Sequence, residues 1–448
     1  MGRLFGTDGV RGIANEELTC ELAMLIGRAV SVILTDKNGT PPSVLIGCDT
    51  RESSDMLASS ITAGLCSMGA NAVMLGVTST PAVAYLTRKK SLDAGIMISA
   101  SHNPSEYNGI KIFSSDGFKL PDALEDLIET IILMPDKYIS PSSCRVGRAL
   151  PSCGMLDDYK KYLVSSATAP LNGLKIAIDC ANGSASETAG EVFRSLGADV
   201  TALGVSPDGK NINRGCGSTC MSSLKKAVTE NSLDAGFAFD GDADRCLCVD
   251  ENGEEVDGDF ILAMCTLDMK LTGRLKNNTV VGTIMSNYGF TEFCKENGIN
   301  FIPTKVGDRY VLEEMVLGDY KIGGEQSGHI IFRDFATTGD GQLTAVQILS
   351  LMKRSGKTLS QLKSVMKKSP QVLINIPLSG EAKLRFYTDS EIQKAIRDEE
   401  LYLSGTGRIV VRPSGTEPLV RVMTEGSDKT KITGSAERIS AVIRKNLL

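Results

Sequence analysis

Three scarcities narrow what this sequence can be. No apolar run approaches the roughly 18 residues of a membrane-spanning helix, so a soluble chain with no membrane partner is expected. Basic residues are not in excess: 48 lysines and arginines face 54 aspartates and glutamates, for a formal net charge of -6. That balance argues against a nucleic-acid partner, and any anionic ligand must be met by focused positive groups. Histidines number only two, His102 and His329, so none of the twelve cysteines has a partner at zinc-site spacing. The cysteines read as reduced thiols. No charged-then-apolar leader precedes the first folded pattern, and the sixth position, Gly6, is not the Ser or Thr of a myristoylation signal. The expected location is therefore the cytoplasm.

What is present is a chain of 448 residues with 42% hydrophobic and 23% charged residues, ordinary globular values. Three or four domains are expected at this length, with ligands between them. The most informative feature is an internal repeat. Leu92-Asp93-Ala94-Gly95 and the apolar stretch after it recur as Leu233-Asp234-Ala235-Gly236. Upstream, the stretch Gly69 to Val77 is matched by Gly197 to Val205, and Val44 to Gly47 by Lys175 to Asp179. Each copy reads strand, helix, strand, helix, strand.

A fainter third copy starts at Thr279, passes Gly298 to Ile302 and reaches Tyr320 to Ser327. The expected fold class is α/β: three similar α/β/α domains with mixed, mainly parallel sheets, whose ligands bind beyond the carboxyl ends of the strands. If the three face a common central cleft, the loops after Ile98, Phe239 and Gly324 line it. From about Pro370 the pattern breaks into three strands and a closing helix from Ile432 to Leu447, a smaller α+β domain.

The chemistry sits in loops. In Ser99-Ala100-Ser101-His102-Asn103-Pro104 a hydroxyl beside an imidazole can serve as nucleophile or phosphate carrier. A polar turn explains it equally, and spacing does not separate Ser99 from Ser101. The glycines of a G-x-S-x-G elbow are absent. Asp240, Asp242 and Asp244 place carboxylates at every second position, which repel unless a cation sits among them; magnesium suits such oxygen ligands. A calcium loop of the EF-hand kind is disfavoured because Arg245 stands where that turn needs glycine. Glu325 and Ser327, in a glycine-rich turn ending at His329, can grip adjacent hydroxyls, although a turn with no ligand is the simpler account. Arg412-Pro413-Ser414-Gly415-Thr416, followed by Arg421, combines guanidinium groups, hydroxyls and a glycine turn as phosphate sites do. Arg11, in a similar loop from Phe5 to Gly12, can also reach a phosphate.

Taken together, the five loops at Phe5 to Gly12, Ser99 to Pro104, Asp240 to Arg245, Gly324 to His329 and Arg412 to Pro418 resemble those of the α-D-phosphohexomutase family. The resemblance covers nearly the whole chain. It implies a phosphoserine domain (1–155), a metal-binding domain (156–255), a sugar-binding domain (256–369) and a phosphate-binding domain (370–448). By the same resemblance Ser101 is the phosphorylated serine. Asp240, Asp242 and Asp244, together with Ser101, hold one Mg2+ per chain. Lys111, Arg245 and His102 join Ser101 in catalysis. Arg11, Glu325, Ser327, His329, Arg412, Ser414, Gly415, Thr416 and Arg421 bind the substrate.

The implied reaction is interconversion of glucosamine 6-phosphate and glucosamine 1-phosphate through a 1,6-bisphosphate. Activation is by phosphorylation of Ser101 or by a sugar 1,6-bisphosphate. The implied partner is a small sugar phosphate, with a homodimer as the assembly allowed for. The sugar rests on Gln326, where relatives acting on glucose or mannose phosphates usually carry methionine, and on residues 305–310, where they usually carry Gly-His-Ser. Asp308 takes the place of that family histidine. Turnover of glucose or mannose phosphates is the alternative.

Overall fold

The computed structural model describes residues 4–6, 8–35, 41–138, 145–378, 380–413 and 419–448. They fall into two compact units, one of residues 1–285 with 300–364 and the other of residues 286–299 with 365–448. No helix among the described residues is long and apolar enough to cross a membrane.

The first unit repeats one plan three times. Ser43–Cys48 pairs in parallel with Asn71–Val77 on one side and Ala94–Ile98 on the other. Lys175–Asp179 does the same with Asp199–Leu203 and Ala235–Phe239, and Thr279–Thr283 with Asn300–Thr304 and Ile322–Gly324. The central strands are buried on both faces, as Val44, Leu45, Ile46, Ile176, Ala177 and Ile178 show. Strands of this kind have no polar face to alternate with, so they read as continuous apolar runs.

Each copy then adds a strand absent from the sequence reading. After Ala94–Ile98, Ala235–Phe239 and Ile322–Gly324 the chain turns back into an antiparallel neighbour: Tyr107–Ser114, Cys246–Asp250 and Ile330–Phe332 respectively. The three loops singled out for chemistry are therefore the three equivalent hairpin loops. In the first domain the return strand also pairs with Val10–Ile13, which brings the loop bearing Asp8 and Arg11 to the same sheet.

The second unit holds a three-stranded antiparallel sheet with Leu419–Gly426 between Gln371–Pro377 and Gly407–Pro413. Helices Ser390–Leu403 and Lys429–Leu447 cover it over a core that includes Ile376, Phe386, Ile392, Val420, Val422 and Ile439. Helix Tyr288–Glu296, from within the third repeat, belongs to this unit. Its cap residue Asn287 donates to the Ser369 carbonyl at 3.1 Å.

Candidate active site

Ser101 is buried and its backbone lies in the left-handed region, with φ of +52°. For a side chain with a Cβ that conformation costs about 1–2 kcal/mol, so neighbouring bonds must hold it. The Ser101 N–H donates to Ser99 Oγ (2.9 Å), and the Ser99 hydroxyl donates onward to Asp49 Oδ2 (2.6 Å). Ser99 is thus engaged in both directions by the protein, while the Ser101 hydroxyl faces the carboxylates. Arg51 completes the frame. Its Nε pairs with Asp49 Oδ2 at 2.8 Å, and its Nη atoms donate to the carbonyls of Ser101 (3.0 Å), Asn103 (2.8 Å), Tyr107 (3.0 Å) and Pro104. Asn213 Nδ2 adds a bond to the Ser101 carbonyl at 2.9 Å. Bonds from a buried cation contribute about 1.5–3 kcal/mol each, which outweighs the backbone strain.

The aspartate loop meets this hydroxyl. Ser101 Oγ donates to Asp240 Oδ2 at 2.5 Å and stands 3.4 Å from His102 Nδ1. The approach is close enough to demand glycine: a Cβ at Gly241 would lie 2.5 Å from the Ser101 carbonyl oxygen. Asp240, Asp242 and Asp244 are all buried, with one ligand atom of each within 4.8 Å of the others. Asp242 Oδ2 accepts from Thr80 Oγ1 (2.5 Å) and Lys111 Nζ (2.8 Å). Asp242 Oδ1 and Asp244 Oδ1 are buried with no hydrogen-bond partner among the described residues. Burial, and then the charges of Asp244 and Asp242, push the Asp240 carboxyl far above the usual range. Burial works the same way on Asp244, but Lys111, His329 and Arg245 reverse it and hold that carboxyl well below normal. Two orphaned carboxylate oxygens beside a third acid that resists ionising fit a divalent cation with oxygen ligands.

Beyond the triad, charged side chains alternate around a closed circuit. Lys111 Nζ reaches Asp8 (3.0 Å), Asp8 meets Lys119, and Lys119 meets Asp308 Oδ2 (2.5 Å). His329 Nε2 is 3.7 Å from Asp308 and its Nδ1 is 3.6 Å from Asp244, which lies 3.5 Å from Lys111. Burial would discharge Lys111, yet Asp242, Asp8 and Asp244 outweigh it and keep the amine charged. Glu325 is fixed by the Gly307 N–H on Oε1 (3.0 Å) and by the Ser327 hydroxyl on Oε2 (3.4 Å). Arg11, His102, Arg245, Glu325 and His329 line a cleft of about 500 Å³. Burial, helped by Arg245 and Arg11, lowers the His102 pKa to about 4, so its ring is neutral near pH 7.

The first unit therefore brings together Ser101, His102, Lys111, Arg11, the three aspartates, Arg245, Glu325, Ser327 and His329. His329 lines the cleft while the Gly339 N–H donates to its Nε2 (3.0 Å) and its Nδ1 lies 3.6 Å from Asp244. In the second unit Arg412 and Arg421 are direct cross-strand partners, which places two like charges on one face of the sheet. Ser414, Gly415 and Thr416 lie outside the described residues. Sequence reasoning missed Asp8, Asp49, Arg51, Thr80 and Lys119. Asp49 and Arg51 follow the carboxyl end of Ser43–Cys48, a position where ligand-side residues are expected, so that signal was available.

Parallel α/β repeats that converge a buried serine, a carboxylate triad and a glycine-flanked glutamate suit an enzyme that transfers phosphoryl groups. Models of phosphoglucomutase/phosphomannomutase α/β/α domains I, II and III match residues 2–138, 156–253 and 257–369, and that of the C-terminal domain matches 373–442. The chain belongs to this phosphohexomutase family, whose members are isomerases. It is 53% identical over 447 residues to a protein of Caldanaerobacter subterraneus subsp. tengcongensis named phosphoglucosamine mutase, with 100% of each chain covered. A phosphoglucosamine mutase of Acetivibrio thermocellus is 52% identical over 448 residues, again with 100% of both chains covered. Among solved structures, a phosphoglucomutase/phosphomannomutase family protein from Burkholderia thailandensis superposes with a TM-score of 0.83 at 21% identity, covering 100% of this chain and 98% of that one. Aspergillus fumigatus N-acetylphosphoglucosamine mutase, solved with GlcNAc-6P and magnesium, gives 0.66 at 16% identity over 99% and 95%. These two share the fold.

Proposed function

We propose that this protein interconverts glucosamine 6-phosphate and glucosamine 1-phosphate, with Ser101 as the carrier of the transferred phosphoryl group. The observation that carries the chemistry is the Ser101 hydroxyl, 2.5 Å from Asp240 in a buried carboxylate triad in which two oxygens have no hydrogen-bond partner among the described residues. The sugar is supported by the full-length relatives named phosphoglucosamine mutase.

In this reading phosphorylated Ser101 gives its phosphoryl group to the free O1 of glucosamine 6-phosphate. The Ser101 O–P bond breaks, a P–O1 bond forms, and the proton of the sugar hydroxyl passes to a base. The 1,6-bisphosphate turns over, the 6-phosphoryl group returns to Ser101, and glucosamine 1-phosphate leaves. The neutral His102, 3.4 Å from Ser101 Oγ, is placed to take and return a proton. Asp240, Asp242 and Asp244 would hold magnesium, which when bound supplies positive charge to the transferring group. Lys111, charged and buried, orients Asp242 and Asp244. Arg11 and Arg245 meet phosphate oxygens, and Glu325 with Ser327 reads sugar hydroxyls. Arg412 and Arg421, opposed across two strands, act with Ser414, Gly415 and Thr416 on the phosphate that is not being transferred; an anion relieves their repulsion. His329 orients Asp244.

The test is turnover of glucosamine, glucose and mannose phosphates with magnesium and a hexose 1,6-bisphosphate, alongside Ser101→Ala and intact-mass measurement. Phosphate on the wild-type protein, none on the variant, and preference for glucosamine phosphates are expected. A preference for glucose or mannose phosphates would sink the sugar assignment, and full activity in Ser101→Ala the mechanism.

A further inference from the structure

The geometry points to Arg309 as a positioning residue for sugar recognition, acting through the Gly307 N–H on Glu325. The inference rests on the reading of Glu325 as the sugar contact. Residues 305–310 run into helix Asp308–Leu317. One backbone group in this stretch, the Gly307 N–H, holds Glu325 Oε1 at 3.0 Å. The position of that N–H is therefore the position of the carboxylate.

The stretch is fixed from the first domain. Arg309 Nη2 donates to the Leu120 carbonyl at 2.9 Å, and its Nη1 reaches Asp122 Oδ1 at 2.6 Å and Glu125 Oε2 at 3.2 Å. Its neighbour Asp308 takes Lys119 at 2.5 Å. Two successive residues thus grip residues 119–125. The Arg309 and Glu125 side chains are only 13% and 8% exposed, so the pair is largely out of water, and because the two Nη atoms take separate partners, the Leu120 carbonyl and the acids, the fork specifies a register as well as an attraction. Among the described residues the hydrogen bond to the other oxygen of Glu325 is the 3.4 Å contact from Ser327, too long to orient the group alone. With the fork lost, Gly307 shifts and Glu325 meets the sugar in the wrong place, while Ser101, Asp240 and Lys111 keep their own partners.

This predicts a divided kinetic effect. Arg309→Ala raises KM for glucosamine 6-phosphate by about tenfold, the equivalent of one lost bond to a charged group, and leaves kcat within about threefold. Arg309→Lys keeps the charge without the fork and raises KM by less. Glu125→Gln gives a smaller rise that is not additive with Arg309→Ala, as coupled groups require. Wild type, these variants and Glu325→Ala are compared by steady-state kinetics, with the active fraction counted from Ser101 phosphate. An unchanged KM in Arg309→Ala and in Arg309→Lys, with Glu325→Ala raising it, overturns the inference and leaves the sugar assignment standing. An unchanged KM in Glu325→Ala overturns both. A loss confined to the active fraction or to the melting temperature marks a structural role only and also overturns it.

Discussion

The serine loop and the glutamate loop occupy equivalent hairpins of the first and third repeats, yet they are held in opposite ways. Ser101 is framed from inside its own domain by Arg51 and Asp49, whose side chains are 0% exposed. Glu325 depends on Gly307, and Gly307 on pairs reaching into another domain, among them Arg309 with Asp122, which is 63% exposed. Breaking a buried pair costs about 3–5 kcal/mol because it strands a charge. A pair with an exposed partner, such as Arg309 with Asp122, contributes about 0–1 kcal/mol, whereas Arg309 with Glu125, at 13% and 8%, is largely buried. The group that carries phosphate is locked in a fully dry net, and the group that reads the sugar is set by a latch that is partly open to water at Asp122. Chemistry is given rigidity, and recognition is given adjustment.

The largest expected effect tests the dry net. Arg51→Ala leaves Asp49 buried without its cation and frees five hydrogen-bond acceptors, the Asp49 carboxylate and four carbonyls, so unfolding experiments should show a loss of about 3–5 kcal/mol. Its kcat should fall by about 100-fold as Ser101 loses its left-handed frame, against a KM effect in Arg309→Ala. If the two variants share one kinetic signature, the contrast between the loops fails. The next effect concerns the triad. Burial and two neighbouring charges make ionised Asp240 costly, so Asp240→Asn should be at least as stable as the metal-free wild type at pH 7. The sign follows from the raised pKa: the protonated acid is the stable form, and its contribution is lost as pH rises through the folded value. Magnesium should raise the melting temperature of the wild type and not of this variant. A magnesium-induced rise that survives Asp240→Asn removes Asp240 from the cation site.

How much of this was legible in the sequence depended on whether a residue's partner was local. Parallel strands such as Ile176 to Asp179 announce themselves as apolar runs, and three aspartates at alternate positions announce a cation. The return strand Ile330–Phe332 is too short to show a period. Ser99 and Ser101 are indistinguishable as letters. They separate only when the Ser99 hydroxyl is found bound to Asp49, fifty residues away in the chain. Lys119 meets Asp308 at a separation of 189, and nothing local to either residue encodes the meeting. The same holds for helix Tyr288–Glu296, whose third-repeat position gave no sign that it belongs to the second unit.

The smallest effect separates the two loops by their histidines. His102, beside Ser101, is lowered to about 4 by burial and by Arg245 and Arg11. Its neutral ring therefore contributes stability present above the ordinary value of 6.5 and lost as pH falls toward 4. For His329 burial also favours the neutral ring, but Asp244 and Asp308 outweigh it and raise the pKa. Its contribution is fully present below 6.5 and is lost as pH rises through the folded value. Besides burial and the Lys119 charge, the Gly339 N–H on Nε2 opposes the charged ring, and one neutral hydrogen bond is worth about 1 kcal/mol. Two carboxylates within 4 Å of a buried ring exceed that. NMR of the metal-free protein should thus give one imidazole titrating near 4 and the other above 6.5. Magnesium should then lower the higher midpoint, because a cation on Asp244 takes up the charge that holds the His329 proton. A His329 midpoint below 6.5 without metal would mean that the Gly339 bond governs the ring, and the electrostatic circuit linking the glutamate loop to the triad would then be broken at that residue.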